Sequence, residues 1–220
     1  MIFLPKFLYP SPIYLILSLT IATIMDFIYP YHKGFLYKIH PVHTSFILSQ
    51  KLFKPYSSKM YGFFVWIFVL LFHLFIYLYI LYISYKLSII IWIIVSSYIL
   101  KTSISFTLLY EIVNNVRKSL EEKDINKARE FVSNIVRRHT NNLDDSHIAS
   151  AAIESLSESF VDSVLSPLFW LILFGPIGSL TQRIINTLDG SLGFKDPMYK
   201  DVGYVSAKAD TIINYVPARI

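Results

Sequence analysis

The stretch DDSHIASAAIESLSESFVDSVLSP, residues 144–167, sets the expectations for the rest of the chain. Read as a helix at 100° per residue, it brings five residues within about 80° of one another, His147, Ala151, Glu154, Glu158 and Asp162. An oxygen of Asp144 or Asp145 can cap the first turn, because it accepts a backbone N–H that has no partner inside the helix. Pro167 restricts the residue before it, which predicts a kink or an end of the helix.

Three carboxylates and a histidine therefore share one stripe beside an apolar segment. Two interpretations are open on spacing alone. The stripe is either the solvated face of an ordinary amphipathic helix or a functional site.

The composition indicates a membrane protein. Of the 220 residues, 54% are hydrophobic and only 16% are charged, and the mean hydropathy is +0.50. Soluble domains contain about 25% charged residues. The net charge of +5 is modest, and in a membrane protein it reports orientation rather than nucleic-acid binding. The absence of cysteine excludes disulfides, thiolate metal sites and cysteine nucleophiles.

Apolar and polar regions alternate along the sequence. The apolar segments are residues 7–25, 61–85, 87–108 and 163–181, and the polar regions are 26–60, 109–162 and 182–220. The second apolar segment exceeds the hydrocarbon thickness of about 30 Å when built as a helix. We expect one domain over residues 1–220, an all-α polytopic integral membrane protein with three to four membrane segments and amphipathic cytoplasmic helices.

Individual residues refine this picture. Pro10 and Pro12 indicate that the first helix proper begins near Pro12. His73 lies in the middle of an apolar segment, where we expect a neutral histidine that is bonded to a neighbouring helix. Lys101 lies near the end of the next apolar segment, where its side chain is expected to reach towards the interface.

The order of the segments predicts a topology. If 61–85 leaves one face and 87–108 returns to it, residues 26–60 and 109–160 share that face, and their Lys and Arg content makes it cytoplasmic. The segment 163–181 is short and contains Gly175-Pro176. A full crossing would send residues 186–220 to the other face. We favour a re-entrant segment, which keeps them beside the acidic helix.

Two further patterns are informative. Asp124 can cap a helix over the following residues, INKAREFVSNIVRR. In the tail, Arg183, Asn186 and Asp189 recur at helical spacing, and Asp210 and Asn214 are four apart. Carboxylate and amide oxygens are ligands of the hard type that Mg²⁺ prefers, although spacing alone leaves both a metal site and ordinary surface polarity open.

Two long runs resemble the signatures of a known family. They are IVRRHTNNLDDSHIASAAIESLSESFVDSVLSPLFW at 135–170 and INTLDGSLGFKDPMYKDVGYVSAKADTIINYVPARI at 185–220. Both are similar to the CobD/CbiB family, the membrane-bound adenosylcobinamide-phosphate synthases of cobalamin biosynthesis. The order of the other elements is similar as well: an early Asp, then His-Pro-Val, a membrane hairpin and a D-I-x-x-A-R helix.

The resemblance implies an enzyme that forms an amide bond. Members join adenosylcobyric acid to aminopropanol or its O-phosphate, with ATP and Mg²⁺, which gives cobinamide or its phosphate. The implied partners are the corrinoid, the aminoalcohol and the lipid bilayer, and other cobalamin-biosynthesis enzymes or a second copy of the chain. Nucleic acid is not among them. The implied location is the cell membrane, as a multi-pass protein with its main polar loops in the cytoplasm.

The resemblance also implies roles for individual residues. The expected catalytic residues are Glu154, Glu158, Asp162 and His40. The carboxylates would bind Mg²⁺ or the substrate ammonium, and His40 would act as a base or orient a carboxylate. The expected metal ligands are Glu158, Asp162, Asp189 and Asp210. The expected substrate and phosphate contacts are Arg138, Thr140, Asn186, Lys195, Asn214 and Arg219, where the guanidinium fork of Arg suits phosphate.

The chain departs from the family pattern at some positions. His139, Ser159 and Thr211 stand where members usually carry an acid, Asn and Asp. Members also continue beyond the P-A-R triplet at 217–219 into a further apolar region, which implies a short or an incomplete member. These departures favour an alternative, a non-catalytic membrane scaffold or one half of a split enzyme in corrinoid biosynthesis. A scaffold would tolerate Glu158→Gln, whereas an enzyme would not.

Other enzyme classes fit the motifs less well. A CDP-alcohol phosphotransferase requires a D-x-x-D-G-x-x-A-R run, and Asp189-Gly190 lacks both the earlier Asp and the following Ala-Arg. No G-x-x-x-x-G-K-[ST] run occurs, so ATP is not expected to bind through a P-loop.

Overall fold

The computed structural model describes residues 5–136 and 139–220, and within these ranges the chain is helical, with no strand. The α-helices, in chain order, are α1 Pro12–Ile28, α2 Gly34–Lys38, α3 Pro41–Leu52, α4 Lys59–Leu87, α5 Ile89–Ser103, α6 Thr107–Glu121, α7 Ile125–Ser133, α8 Asp145–Phe160, α9 Ser166–Leu192 and α10 Tyr204–Ile213. A π-helical turn, Val161–Leu165, joins α8 to α9. The predicted all-α class is confirmed.

Three helical stretches of the described chain are long and apolar enough to cross a membrane. They are Lys59–Leu87, Ile89–Glu121 and Asp145–Leu192, and α1 is a shorter apolar helix. Helix α1 begins at Pro12, as the two prolines indicate. Ser88 separates α4 from α5 and caps the start of α5, because its hydroxyl accepts the N–H of Ile90.

The polar groups inside this apolar bundle have partners. His73 of α4 is buried, its Nε2 lies 3.0 Å from Thr44 Oγ1 of α3, and its Nδ1 donates to the carbonyl of Val69 at 2.8 Å. The predicted bond to a neighbouring helix is therefore confirmed. Trp92 of α5 is fully buried and its Nε1 donates to the carbonyl of Phe7 at 2.7 Å, which ties the N-terminal residues to the start of α5.

Helix α9 is broken at Gly175, where φ is +70° and ψ is −162°. Glycine is required here for two reasons. The positive φ is unfavourable for other residues, and a β-carbon would collide with the carbonyl of Leu8. Pro176 follows and cannot donate a backbone hydrogen bond to the preceding turn.

The two limbs of α9 run back along each other. The side chain of Gln182 donates from Nε2 to the carbonyl of Asp162 at 3.2 Å, and Arg183 donates from Nη1 to Ser163 Oγ at 3.2 Å. Both ends of the apolar segment 163–181 therefore meet, with Gly175 at the apex. This hairpin has the backbone course that the predicted re-entrant segment requires, and it keeps the tail next to α8. Its depth in a membrane stays a prediction. We refer to the meeting of residues 162–163 with 182–183 as the crossing.

The helices α6, α7 and α8 form a second, smaller core beside the bundle. Its buried residues are Val116, Ala128, Val132, Ile148, Ala151 and Ala152. The predicted caps are both present: Asp124 accepts the N–H of Lys127 at 3.1 Å, and Asp144 accepts the N–H of His147 at 2.9 Å. These caps set the start of α7 and of α8.

The predicted kink or end near Pro167 is replaced by a π-helical turn just before it. Pro167 lies in the first turn of α9, directly after the π-helical turn, so the helical axis continues instead of ending there. A π-helical turn carries one extra residue, is rare, and is frequent at functional sites. It shifts the helical face, and Asp162 lies within it.

Candidate functional site

A pocket of about 660 Å³ lies between α7, α8, the π-helical turn and α9. Its described lining contains four carboxylates and no basic side chain, and it comprises Ile135, Val136, Ala151, Glu154, Ser155, Glu158, Ser159, Asp162 and Asp189. We call it the acidic pocket. It brings together the three predicted catalytic carboxylates, Glu154, Glu158 and Asp162, and three of the four predicted metal ligands, Glu158, Asp162 and Asp189.

The periodicity of α8 produces this lining. Glu154 and Glu158 are one turn apart and exposed, whereas Ala151 and Ser155 are buried on the adjoining face. The hydroxyl of Ser155 donates to the carbonyl of Ile135 at 2.8 Å and fixes α8 against the segment that follows α7. The predicted acidic stripe is therefore the wall of a pocket.

His147 does not belong to this wall. Its ring is exposed, and its Nδ1 lies 2.7 Å from Oδ1 of Asp144, the residue that caps the helix. The bonds from the backbone and side chain of His147 hold the pKa of Asp144 well below its usual range. The pair stabilises the start of α8 and leaves the acidic pocket to residues one or more turns further along.

Asn214 anchors the inner end of the acidic pocket. Its Nδ2 donates to Asp162 Oδ1 at 3.1 Å and to Asp210 Oδ1 at 3.0 Å. Its Oδ1 accepts from the hydroxyl of Ser166 at 2.6 Å and from Gln182 Nε2 at 3.2 Å, and the residue is buried. One amide thus joins the π-helical turn, both limbs of α9 and the end of α10.

Asp210 extends this network to α9. Asn186 Nδ2 donates to its Oδ1 at 3.2 Å. Burial raises the pKa of Asp210, and the hydrogen bonds from Asn186 and Asn214 oppose that rise. The predicted substrate contacts Asn186 and Asn214 therefore hold carboxylates in place, and Asp210 is next to Asp162 but outside the lining of the acidic pocket.

The donor set of the acidic pocket fits Mg²⁺ in one respect. Its ligands are hard carboxylate oxygens, although the described residues contain no group of three or more His, Asp or Glu side chains placed to hold a metal ion. Mg²⁺ is usually held by one or two carboxylates together with waters and substrate phosphates, rather than by an all-protein cage. The pocket thus fits an ion that arrives with a phosphate.

A second pocket, of about 400 Å³, lies on the other side of the crossing. Its polar lining is basic or neutral and contains no carboxylate, and it includes His32, His40, His43, Lys101 and Arg183. We call it the basic pocket. Its walls come from the α1–α2 connection, the start of α3, the end of α5 and α9.

A buried ion pair supports the basic pocket. Lys101 Nζ donates to Asp26 Oδ1 at 3.0 Å and to the carbonyl of Pro30 at 3.3 Å. The other oxygen of Asp26 accepts the N–H of Thr107 at 2.8 Å. Both charged side chains are less than a tenth exposed, so the prediction that Lys101 reaches the interface is wrong. The carboxylate of Asp26 satisfies the ammonium group within the protein instead.

His40 lies in the basic pocket, apart from the acidic residues with which the sequence groups it. It caps α3, and its Nδ1 accepts the N–H of Val42 at 3.3 Å. Burial lowers the pKa of His40 to about 3, and electrostatic interactions with the neighbouring His32 and Arg183 act in the same direction. At neutral pH the ring is therefore uncharged, and Nε2 carries its proton. Its role as a base stays a prediction.

The predicted phosphate contacts are dispersed. Arg138 lies outside the described residues. Lys195 and Arg219 are exposed and line neither pocket, and Arg219 donates to the carbonyl of Tyr215 at 2.7 Å and lies over its ring. Thr140 is buried ahead of α8. No direct contact with a ligand follows from these positions.

The basic pocket is what sequence reasoning missed. Asp26 and Lys101 are single charges at the ends of apolar segments, which is a signal for a buried pair. Arg183 was noted only for its spacing from Asn186 and Asp189. Its position beside His40 depends on the hairpin of α9, and one-dimensional spacing contains no information on that contact.

Comparison with known proteins finds one matching family model and several similar proteins. A family model described as "CobD/Cbib protein" matches residues 19–220. The "Probable cobalamin biosynthesis protein CobD" of Aeropyrum pernix is 37% identical over 217 residues, which is 99% of this chain and 68% of that protein. The protein of the same description from Thermoplasma acidophilum is 37% identical over 94% of this chain and 68% of its own length.

A bacterial relative is similar over a shorter region. The "Cobalamin biosynthesis protein CobD" of Clostridium perfringens is 37% identical over 173 residues, which is 79% of this chain and 55% of that protein. No solved structure matches the chain.

Proposed function

The chain belongs to the CobD/CbiB family, and from that membership we propose that it joins the carboxylate of cobyric acid to aminopropanol, or to its O-phosphate, as an amide. The observation that supports this chemistry best is the acidic pocket, in which Glu154, Glu158, Asp162 and Asp189 converge. The product is cobinamide or its phosphate, and the process is cobalamin biosynthesis.

The proposed reaction balances with ATP as the second substrate. A carboxylate is a poor electrophile, so its oxygen first takes the terminal phosphoryl group of ATP, which gives an acyl phosphate and ADP. The amine nitrogen then attacks the acyl carbon, the bond from that carbon to the phosphoryl oxygen breaks, and phosphate leaves. Because the substrate nitrogen enters as an ammonium, it loses two protons. A positioned carboxylate accepts the first, which frees the lone pair for attack, and the second goes to the departing phosphate or to water.

The acidic pocket has the charge that an ammonium substrate requires. An aminoalcohol carries a positive nitrogen at neutral pH, and the carboxylates of Glu154 and Glu158 lie on the exposed wall where such a group enters. Asp162 is half-buried and is oriented by Asn214. We assign the exposed pair to ammonium binding and Asp162 to the first proton that the nitrogen gives up.

Magnesium and ATP belong to the proposal through the family. When bound, Mg²⁺ would neutralise charge on the phosphates during phosphoryl transfer. One or two of the carboxylates of Glu158, Asp162 and Asp189 would hold it, with water and the substrate phosphates as the other ligands. We further propose a cell-membrane location with the acidic pocket facing the cytoplasm, because the loops on that face are rich in Lys and Arg.

The test is a turnover assay. The chain is expressed in cells that lack their own adenosylcobinamide-phosphate synthase, and membranes are supplied with adenosylcobyric acid, aminopropanol phosphate, ATP and Mg²⁺. We expect amide product from the wild type and none from Glu158→Gln, which keeps the shape of the side chain and removes its charge. Glu130→Gln is the matched control, because Glu130 is exposed on α7 and lines neither pocket.

The alternative function, a scaffold or one half of a split enzyme, predicts a different result. A well-inserted wild-type chain would then form no amide, and Glu158→Gln would behave like the wild type in complementation. That outcome would refute the enzyme proposal and direct the search to a partner chain.

A further inference from the structure

We propose that the basic pocket binds a phosphoryl group, either of a small phosphate monoester or of a nucleotide. This inference depends on the proposed function only for the choice of phosphoryl compounds that are tested. The site itself is argued from the cavity and from the side chains that face it. It differs from the predicted phosphate contacts Lys195 and Arg219, which are exposed and lie elsewhere.

Arg183 is the first reason. Its Nη1 donates to Ser163 Oγ, and its buried Nε has no hydrogen-bond partner within the described part of the chain. No carboxylate lies within ion-pair distance of it among the described residues. A buried guanidinium donor without an acceptor costs free energy, and an anion in the pocket would satisfy it. The guanidinium fork is also suited to phosphate.

The second reason is the local balance of charge. Lys101 has three N–H donors, and two of them bond to Asp26 and to the carbonyl of Pro30. Asp26 offsets the charge of Lys101, and Arg183 interacts electrostatically with Asp162 beyond ion-pair distance, so no carboxylate in the lining of the pocket itself offsets the guanidinium. The carboxylate of Asp162 lies across the crossing in the acidic pocket, where it accepts from Asn214.

The third reason is the protonation state of His40. Because Nδ1 accepts a backbone N–H, the uncharged ring has its proton on Nε2 and can donate without adding charge. Beside it, His32 packs edge-on at 4.4 Å between ring centroids. A neutral donor next to two cations is a set that binds an anion and does not bind a metal ion.

The walls strengthen these contacts. Tyr37, Phe46, Ile104 and Leu108 make the pocket mostly apolar, and its volume of about 400 Å³ lies within the range of about 300–1,000 Å³ for small-molecule sites. Electrostatic contacts are stronger in an environment of low dielectric constant. A compact anion with a short apolar body therefore matches the site better than a large, flat one.

The test measures binding and needs no turnover. The full chain is purified in detergent and titrated calorimetrically with inorganic phosphate, with aminopropanol O-phosphate and with a non-hydrolysable ATP analogue. Free aminopropanol is the probe without a phosphoryl group. Arg183→Gln removes the charge at the crossing, and we expect it to weaken phosphate binding by about tenfold or more, the usual loss of a charge-assisted hydrogen bond.

A second pair of variants covers the case in which Arg183→Gln does not fold. His43 is partly exposed in the pocket wall and stacks on Tyr37, so His43→Glu introduces a repelling charge without removing a hydrogen bond of the framework. We expect a similar loss for His43→Glu and less than a twofold change for the matched His43→Gln. The affinity for free aminopropanol should be the same in all variants.

The outcomes separate the claims. The proposal is overturned if the wild type binds none of the phosphoryl probes, or if Arg183→Gln and His43→Glu bind them as the wild type does. A preference for aminopropanol O-phosphate or for the nucleotide analogue identifies the source of the phosphoryl group. Phosphate binding without amide formation would support the phosphoryl site and refute the proposed function. Amide formation without phosphate binding in this pocket would support the proposed function and refute the site.

Discussion

The acidic and basic pockets lie back to back across one crossing, yet they handle charge in opposite ways. In the acidic pocket, Glu154 and Glu158 are exposed on the outer wall of a helix. In the basic pocket, Lys101 is buried and is paired with Asp26. Exposed carboxylates are stable without a ligand because water solvates them, whereas a buried ammonium needs a fixed counter-charge. The charged groups of the basic pocket therefore contribute to the stability of the fold, whereas the exposed carboxylates of the acidic pocket do not need to.

The largest effect that this comparison predicts is on folding. Asp26→Asn removes the counter-charge of Lys101 and turns an N–H donor towards Thr107 or Lys101, so it should destabilise the chain by about 3–5 kcal/mol. Thermal unfolding in detergent measures the loss. Glu121→Gln breaks an exposed pair with Arg117 and should cost less than about 1 kcal/mol. Equal effects would contradict the distinction between the two kinds of charge.

The acidic pocket should show its role in rate rather than in stability. Asp162→Asn keeps the volume of the side chain and removes its charge, and we expect kcat/KM for amide formation to fall about 100-fold or more. Asp145→Asn is the control on the same continuous helix, since Asp145 is exposed and outside the pocket. If both variants react at the same rate, Asp162 has no part in proton transfer.

A third variant tests whether one hairpin supports both pockets. Gly175→Ala places a β-carbon against the carbonyl of Leu8 at a positive φ, which should cost about 1–3 kcal/mol and shift the crossing. Gly190→Ala lies in the same helix with no atom within 4 Å of the new carbon, so it should be neutral or slightly stabilising. The thermal midpoint and phosphate binding should fall together in Gly175→Ala alone.

The smallest predicted effect is on the pH dependence of stability. Burial lowers the pKa of His40 to about 3 and that of His32 to about 4, from an ordinary value of 6.5. Between pH 6.5 and these values the unfolded chain binds protons that the folded chain does not, so stability falls as the pH falls. Because both rings are partly exposed, solvent screens these shifts, and we expect the total loss of stability between pH 6.5 and 4.5 to be about 1 kcal/mol or less.

The matched variants for this prediction are asparagines. His40→Asn keeps an acceptor for the N–H of Val42 but cannot take up a proton, so the thermal midpoint should depend less on pH between 6.5 and 4.5. His139→Asn, at an exposed position outside both pockets, should leave that dependence unchanged. An unchanged slope in His40→Asn would show that protonation of His40 is not linked to unfolding.

The sequence predicts those features that depend on local periodicity. The apolar run of α4, the caps Asp124 and Asp144, and the stripe of Glu154 and Glu158 all follow from spacing along one helix. The segments that form the acidic pocket are also close in sequence, apart from α9. This explains why its wall could be recognised before the fold was known.

The basic pocket depends on contacts between distant residues. Asp26 and Lys101 are 75 residues apart, and Arg183 reaches the pocket only because α9 turns back at Gly175. A lone lysine at the end of an apolar run suits both an interfacial and a buried position, and only the partner decides between them. The π-helical turn that carries Asp162 has no sequence signal that we know.

The hairpin of α9 also constrains how the protein is made. Its apex packs against Leu8, which precedes it in the chain, and its base is closed by Asn214, which follows it. The chain on either side of Gly175 packs against itself at the crossing, so we expect the two limbs to enter the membrane together. The acidic pocket is therefore completed only once Asn214 has been added, after the bundle that receives the hairpin has been made.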